Sequence, residues 1–325
     1  MIVGIIGATG LVGKAIEESL LKLNILKTTD LVLRYSSSGE DDTIVFKMKY
    51  LHDLDYAFLA TPNELSREIY QYSYLNNLNT IFIDSSSEFR MNPEIPLIVP
   101  EVNGSILKSD KHNLISSPNC TTTFLVVLLK ALEKCGKIKR VTLSTYQAAS
   151  GAGIKGMGEL ILQNKEISNI GEIKTKDFWG KPYAYNLFSH NTRIQENGYN
   201  EEEMKIVNET QKILGYQLKI TPTCIRVPIL RSHSESINVE FYDEISRDNI
   251  IKSIDGFPGI KIVNDEKNNV FPEPETSSGK TDIFVGRIRS DLNDLSRWNF
   301  FICSDQILKG AGYNSAQILQ HILKN

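Results

Sequence analysis

Four cysteines and five histidines are the side chains in this sequence best suited to covalent and proton chemistry, and their surroundings differ. Cys120 stands in Ser116-Ser-Pro-Asn-Cys120-Thr-Thr-Thr123, between the end of a strand-like segment and a helix read over 123–135. A thiol at a helix N-terminus has its thiolate stabilised by backbone N–H groups and the helix dipole, and thiolate is the form that attacks a carbonyl carbon. A cysteine before a helix is more commonly a small buried apolar residue. Cys135 on an amphipathic helix, Cys224 entering a strand and Cys303 in an apolar run fit that plainer description. His233 lies seven positions after Arg226, between strand-like segments, where an imidazole could take the thiol proton. Arg226 has the planar fork that grips a carboxylate in bidentate fashion. His52, His112 and His321 read as surface or helix-end residues, and His190 is undecided. No Cys/His group has ligand spacing, so no metal is expected.

A second chemical feature opens the chain. Gly7-Ala-Thr-Gly10-Leu-Val-Gly13 follows a short apolar strand and leads into a helix on which Leu11, Val12, Ile16, Leu20 and Leu21 recur at helical spacing. Glycines there permit a tight turn and a close backbone approach, and the helix N-terminus offers N–H groups to a pyrophosphate. Gly7, Thr9, Gly10, Leu11, Val12 and Gly13 are therefore candidate cofactor-binding residues. A lone glycine triplet is weak evidence; its position in a β-α-β context strengthens the dinucleotide reading. After the second strand, where NAD-selective folds place an acidic residue, the chain reads Arg34-Tyr-Ser-Ser-Ser-Gly39. An arginine and the hydroxyls of Ser36, Ser37 and Ser38 suit the 2′-phosphate of NADP, and a solvated serine turn is the plainer alternative. Asp41 and Asp42 keep NAD possible.

The elements that must hold these residues follow from apolar periodicity. Segment 30–35 reads as a second short strand; 56–60 and 80–84 are short continuous apolar runs, the pattern of parallel strands buried on both faces, with helical periodicity over 63–75 between them. They predict an α/β fold: an N-terminal Rossmann-like doubly wound parallel sheet over 1–117, completed by a C-terminal helix in 305–325. Over 118–304 strands such as 140–147, 224–227, 236–242 and 282–289 alternate more clearly, predicting a second α+β domain with a mixed or antiparallel sheet. The Pro-, Asn- and Gly-rich stretch 265–281 reads as a loop. Length suits one large or two medium domains. A net charge of −3 offers no basic field for nucleic acid or anionic lipid, and no apolar run is long enough to span a bilayer. The cysteines form no disulfide framework, so a reducing cytoplasm is expected.

Taken together, the segments resemble the aspartate-semialdehyde dehydrogenase family. The resemblance covers most of the chain, in order: G-A-T-G-L-V-G, D-S-S-S-E-F-R-M, S-P-N-C-T-T, S-T-Y-Q-A-A-S-G-A-G, E-E-M-K, R-V-P-I-L-R-S-H-S, V-G-R-I-R and K-G-A-G-Y-N. The cysteine and Y-Q-A-A-S-G-A-G elements are specific, whereas the glycine turn alone is not. The resemblance implies NADP-dependent reductive dephosphorylation of L-aspartyl 4-phosphate to L-aspartate 4-semialdehyde in the biosynthesis of lysine, threonine and methionine. It implies that Cys120 forms the acyl-thioester, His233 acts as acid/base and Gln147 orients the substrate beside the thiol. Arg226, Glu202 and Asn119 would bind the substrate, and Arg90 and Lys205 the phosphate. Ser150, Gly151 and Asn314 would surround the nicotinamide half of the cofactor. It also implies a homodimer, or a homotetramer as in some members. Many members carry an arginine in the serine turn where Ser36 stands here.

Three other readings share these features. N-acetyl-glutamyl-phosphate reductases typically carry glycine before the cysteine and Tyr-Pro-Thr after it, where this chain has Asn119 and Thr121-Thr-Thr. A malonyl-CoA reductase has similar motifs, but its substrate lacks the α-amino group that Glu202 would meet. A nucleotide-binding paralogue without catalysis should have lost the nucleophile or its partners, yet Cys120, Gln147, Arg226 and His233 are all present.

Overall fold

Short runs of branched and aromatic residues build the first sheet: β1 (Ile2–Ile6), β2 (Leu31–Ser36), β3 (Ile44–Val45), β4 (Tyr56–Leu59), β5 (Ile81–Asp84) and β6 (Leu114–Ser116). All neighbours pair in parallel, in the order β3-β2-β1-β4-β5-β6. The apolar character of β1, β4, β5 and β6 has a simple cause. Val3, Ile5, Phe58, Ile83 and Ile115 enter one core, while Ile6, Tyr35, Leu59, Phe82 and Leu114 enter another, so both faces are buried. Helix α1 (Leu11–Lys22) supplies Ile16 and Leu20 to the first core, and α2 (Asn63–Leu75) supplies Ile69 to the second. A one-turn helix, α3 (Pro100–Asn103), precedes β6.

The structure is a computed structural model that describes residues 1–40, 42–108 and 112–324. It divides into two units: Met1–Thr123 with Lys212–Leu214 and Ile307–Asn325, and Phe124–Gln211 with Gly215–Gln306. Residues 118–123, expected in the second domain, group with unit 1. Helix α4 (Cys120–Leu132) starts at the cysteine itself, three residues before the apolar periodicity suggests, and its residues Phe124–Leu129 are fully buried.

Unit 2 contains β7 (Ile138–Gln147), α5 (Gly153–Ile170), β8 (Phe188–Ser189), α6 (Glu201–Leu214, its last turn counted with unit 1), β9 (Lys219–Arg226), β10 (His233–Phe241), α7 (Arg247–Ile254), β11 (Ile260–Ile262), α8 (Pro274–Ser277), β12 (Ile283–Ser290) and β13 (Arg297–Ser304). Its mixed sheet runs β11-β12-β13-β10-β7-β9-β8. The pairs β7–β9 and β11–β12 are parallel and the others antiparallel. Two expectations shift. Strand β10 begins at His233, so that histidine belongs to a strand rather than to a connection. The stretch 265–281 is tied by a bridge between Asp265 and Val270 and contains α8. The chain then returns to unit 1 through a π-turn (Leu308–Gly312) and α9 (Tyr313–Lys324), whose Ile318 and Leu319 join the first core.

Glu235 in β10 is fully buried, and neither carboxylate oxygen has a hydrogen-bond partner among the described residues. Burial without a counter-charge pushes its carboxyl well above the usual range, which favours the protonated form in the folded chain. A carboxyl with a raised folded pKa contributes stability that is complete below the unfolded value of about 4.3 and declines as pH rises from there. Glu235→Gln keeps the shape without the ionisable proton. Its melting temperature should exceed the wild type's at pH 7–8, and the difference should vanish as pH falls to about 4. A constant difference across that range in calorimetric scans would show that Glu235 is ionised in the folded chain.

Candidate active site

In unit 1 the chemistry collects at the carboxyl ends of the parallel strands. The strand order reverses at β1, flanked by β2 and β4, and doubly wound sheets bind ligands at such a switch point. Gly7 adopts φ +88°, and a Cβ there would lie 2.2 Å from the Ala60 carbonyl oxygen; one on Gly13 would lie 2.3 Å from the Gly7 carbonyl oxygen. Only glycine fits either position. Gly10 is the N-cap of α1 with no side chain capping the first turn and no acidic residue in it, which suits an anionic ligand on the backbone N–H groups. Thr9, Leu11 and Val12 complete this turn. In the serine turn, Ser36 is buried and its hydroxyl closes the loop, meeting the Thr43 hydroxyl at 2.6 Å and accepting from Gly39 N–H at 2.9 Å. Ser37 and Ser38 are exposed. Arg34 donates to the Asp42 carbonyl oxygen at 3.3 Å, and Asp41 lies outside the described residues.

The cysteine segment is braced from three sides within the same unit. Ser117 N–H donates to the Asp84 carbonyl oxygen at 2.8 Å. Asn314, fully buried, donates through Nδ2 to the Ser117 hydroxyl (2.9 Å) and to the Ile98 carbonyl (3.1 Å), while its Oδ1 has no partner among the described residues. Asn119 caps α4: its Oδ1 accepts from Thr121 N–H (3.1 Å), the Thr121 hydroxyl (2.5 Å) and Thr122 N–H (3.4 Å). Cys120 is half-buried. This cap commits the Thr121 and Thr122 N–H groups to holding the helix start. Arg90 is buried and donates to the Ser85 carbonyl at 2.9 Å. It follows a turn anchored by Asp84, which accepts from Ser66 and twice from Ser86. Burial pushes the Asp84 carboxyl up, against those hydrogen bonds and the nearby Arg90 charge.

In unit 2 the register of three strands assembles the second group. Gln147 on β7 is opposite Arg226 on β9, and the antiparallel pairing that aligns Tyr146 with Ser234 brings His233 level with Gln147. Arg226, Gln147 and His233 thus form one row on one face of the sheet. Gln147 Nε2 donates to Glu202 Oε1 at 3.3 Å, and Lys205 Nζ donates to Glu202 Oε2 at 3.2 Å. Helix α6 presents Glu202 and Lys205 one turn apart, and a reciprocal cap between Asn200 and Glu203 fixes its start. Arg226 lies over the Trp179 ring, 5.4 Å from its centroid, and donates to the Ala148 carbonyl at 3.3 Å. Ser150 is buried, its hydroxyl accepting from Gln306, and a Cβ on Gly151 would come within 3.0 Å of His233 Nε2 and 3.1 Å of Arg226 Nη1.

His233 departs from expectation in one respect. Ser232, with φ +71°, turns the chain into β10, and the buried imidazole accepts the Ala148 backbone N–H at Nδ1 (3.0 Å). A neutral ring that accepts at Nδ1 carries its proton on Nε2, whose position has no partner among the described residues. Burial and then the Arg226 charge push the imidazole down to about 3, with Glu202 opposing. In this geometry Nε2 is a donor, not the acceptor that taking a thiol proton requires. The sequence carries no local sign of this, because the deciding group is a backbone N–H just past the end of β7, 85 residues away. His190 belongs to the same group: it is buried, and burial pushes its imidazole down to about 4 against the attraction of Glu202. Among the described residues no set of three or more His, Cys, Asp or Glu side chains could hold a metal ion, and no helix is long and apolar enough to cross a membrane.

Nitrogen-15 NMR of histidine-labelled protein should show His233 as the Nε2–H tautomer with no titration between pH 5 and 9. An imidazolium signal from His233 at pH 5–6 would overturn the assignment.

Residues 2–109 match the family model for the semialdehyde dehydrogenase NAD binding domain, and residues 129–309 that for the semialdehyde dehydrogenase dimerisation domain. The aspartate-semialdehyde dehydrogenase of Prochlorococcus marinus is 40% identical, over 98% of this chain and 95% of its own length. That of Synechocystis is 36% identical over 99% and 97%. The crystal structure of aspartate semialdehyde dehydrogenase II from Vibrio cholerae, complexed with ASA, superposes with a TM-score of 0.91 at 29% identity, covering 100% of this chain and 98% of that one. On these matches the chain belongs to the aspartate-semialdehyde dehydrogenase family.

Proposed function

We propose that this chain interconverts L-aspartyl 4-phosphate and L-aspartate 4-semialdehyde through an acyl-thioester on Cys120, using NADP, in the biosynthesis of lysine, threonine and methionine. The observation that carries the reading is the arrangement around Gln147: Arg226 beside it in register, Glu202 hydrogen-bonded to it, and His233 on its other side. A guanidinium and a carboxylate flanking one amide suit the two charged ends of an α-amino acid, leaving the amide to orient the acyl group. That favours a substrate with a free ammonium over an N-acetylated or CoA-linked one.

In the reductive direction the Cys120 thiolate forms a bond to the acyl carbon, and the carbonyl electron pair moves to oxygen. Asn119 Nδ2 and the His233 Nε2–H are the proposed donors to that oxyanion, since the neighbouring N–H groups of α4 serve the Asn119 cap. Re-forming the carbonyl breaks the bond to phosphate, which leaves with the electron pair and takes one proton from water. Arg90 and Lys205 offset its charge. A nicotinamide cofactor, when bound, would supply the hydride to the thioester carbon. The same donors stabilise the second oxyanion, whose collapse expels the Cys120 thiolate and releases the aldehyde. No step in this sequence takes a proton from His233, which suits a ring held neutral.

The α1 N-terminus with Gly7, Thr9, Gly10, Leu11, Val12 and Gly13 would hold the pyrophosphate. Ser37 and Ser38 would meet the 2′-phosphate from a turn closed by Ser36, and Ser150, Gly151 and Asn314 Oδ1 would meet the nicotinamide half. The match to a dimerisation-domain model supports a homodimer.

A steady-state assay with aspartate semialdehyde, phosphate and NADP or NAD tests the proposal. Turnover should require phosphate, prefer NADP and fail with CoA in place of phosphate. Cys120→Ala should lower turnover by at least about a thousandfold while NADP binding persists; retention of most turnover would refute the thioester. Gly151→Ala, which presses on both His233 and Arg226, should lower turnover about tenfold or more with an unchanged circular dichroism spectrum.

A further inference from the structure

Behind the row of Phe188, Arg226, Gln147 and His233 lies a second row on the same face of the unit 2 sheet. Two residues back along each strand, Glu235 is opposite Thr145 and Thr145 opposite Cys224; His190, just past β8, donates its N–H to the Cys224 carbonyl at 2.8 Å. His190 is thereby the edge residue of this row, one step from Arg226. Its Nδ1 lies 3.2 Å from the Thr192 hydroxyl, which in turn accepts the backbone N–H of Glu202 at 3.2 Å. A hydroxyl that accepts from Glu202 has its own hydrogen to give, and giving it to Nδ1 leaves the His190 proton on Nε2.

We propose that His190 is a further substrate-binding residue, a neutral imidazole fixed through Thr192 that offers its Nε2–H to the substrate α-carboxylate alongside Arg226. This rests on the reading of Arg226 and Glu202 as the grip on the amino-acid end. The charges favour a neutral donor at this place. Glu202, Arg226 and Lys205 all act electrostatically on His190. An imidazolium here would compete with the substrate ammonium for Glu202, whereas a neutral N–H adds a hydrogen bond to the carboxylate and leaves Glu202 to the ammonium. Burial keeps the ring in that form.

The test compares His190→Leu, His190→Gln and Arg226→Leu in the phosphate-dependent oxidation of aspartate semialdehyde. His190→Leu should raise KM for the semialdehyde about tenfold or more, the loss expected for one charge-assisted hydrogen bond, with kcat within about threefold and KM for phosphate unchanged. His190→Gln, which retains an N–H donor, should restore KM to within about threefold of wild type. An unchanged KM in His190→Leu, a fall in kcat alone, or a glutamine variant as poor as the leucine variant would overturn the role. If Arg226→Leu leaves the semialdehyde KM unchanged, the amino-acid end binds elsewhere and the underlying reading falls as well. Should the leucine variant fail to fold, a His190→Gln KM raised as far as that of Arg226→Leu would count against the proposal, and one near wild type would support it.

Discussion

Because β7 pairs in parallel with β9 and antiparallel with β10, Arg226, Gln147 and His233 share one level of the unit 2 sheet. A slip of one residue in either pairing would turn a member of that row to the opposite face. The register therefore constrains everything attached to the row: the Glu202 carboxylate through Gln147, the Gly151 backbone against His233 and Arg226, and His190 one step behind. The Ala148 N–H, at the end of β7, extends the constraint to the His233 ring by choosing which nitrogen bears the proton. A sheet that is wrongly paired would lose binding and proton placement together.

Unit 1 solves a different problem, which is to hold a thiol at the first residue of a helix. Asp84 is central to the solution: its carbonyl fixes Ser117, its carboxylate gathers Ser66 and Ser86, and its turn leads to Arg90. Asn314 returns from the far end of the sequence to brace Ser117 from another side. The burial of the Asp84 carboxyl raises the cost of any arrangement in which those hydrogen bonds are broken. The cysteine loop is thus tied to the strand ends rather than left to its own turn preferences.

Much of this was legible in the residues because it is local. The glycine turn, the parallel strands buried on both faces, the helix over 63–75 and a thiol near a helix start all follow from spacing and side-chain type. The family resemblance pointed to Arg226, Glu202, Lys205 and Gln147, and these four prove to be neighbours in unit 2. What stayed hidden depends on partners distant in sequence. That β10 begins at His233 and that His190 lies one step from Arg226 are consequences of pairings across the sheet. No periodicity encodes the Ala148 N–H that sets the His233 tautomer, and Ser232 in the left-handed region is a backbone conformation the local sequence does not announce.

Glu203 does more than close the reciprocal cap of α6. Its second carboxylate oxygen accepts the Cys224 backbone N–H at 3.0 Å, two residues from Arg226, so the start of the helix is fastened to the strand that carries the guanidinium. Glu202 is therefore anchored at a set separation from Arg226 by the main chain. On the proposed reading, the carboxylate, the ammonium and the reacting carbon each meet a fixed partner. Three fixed points around one tetrahedral carbon define a handedness, and the main-chain tie between α6 and β9 is what would let this protein tell an amino acid from its mirror image.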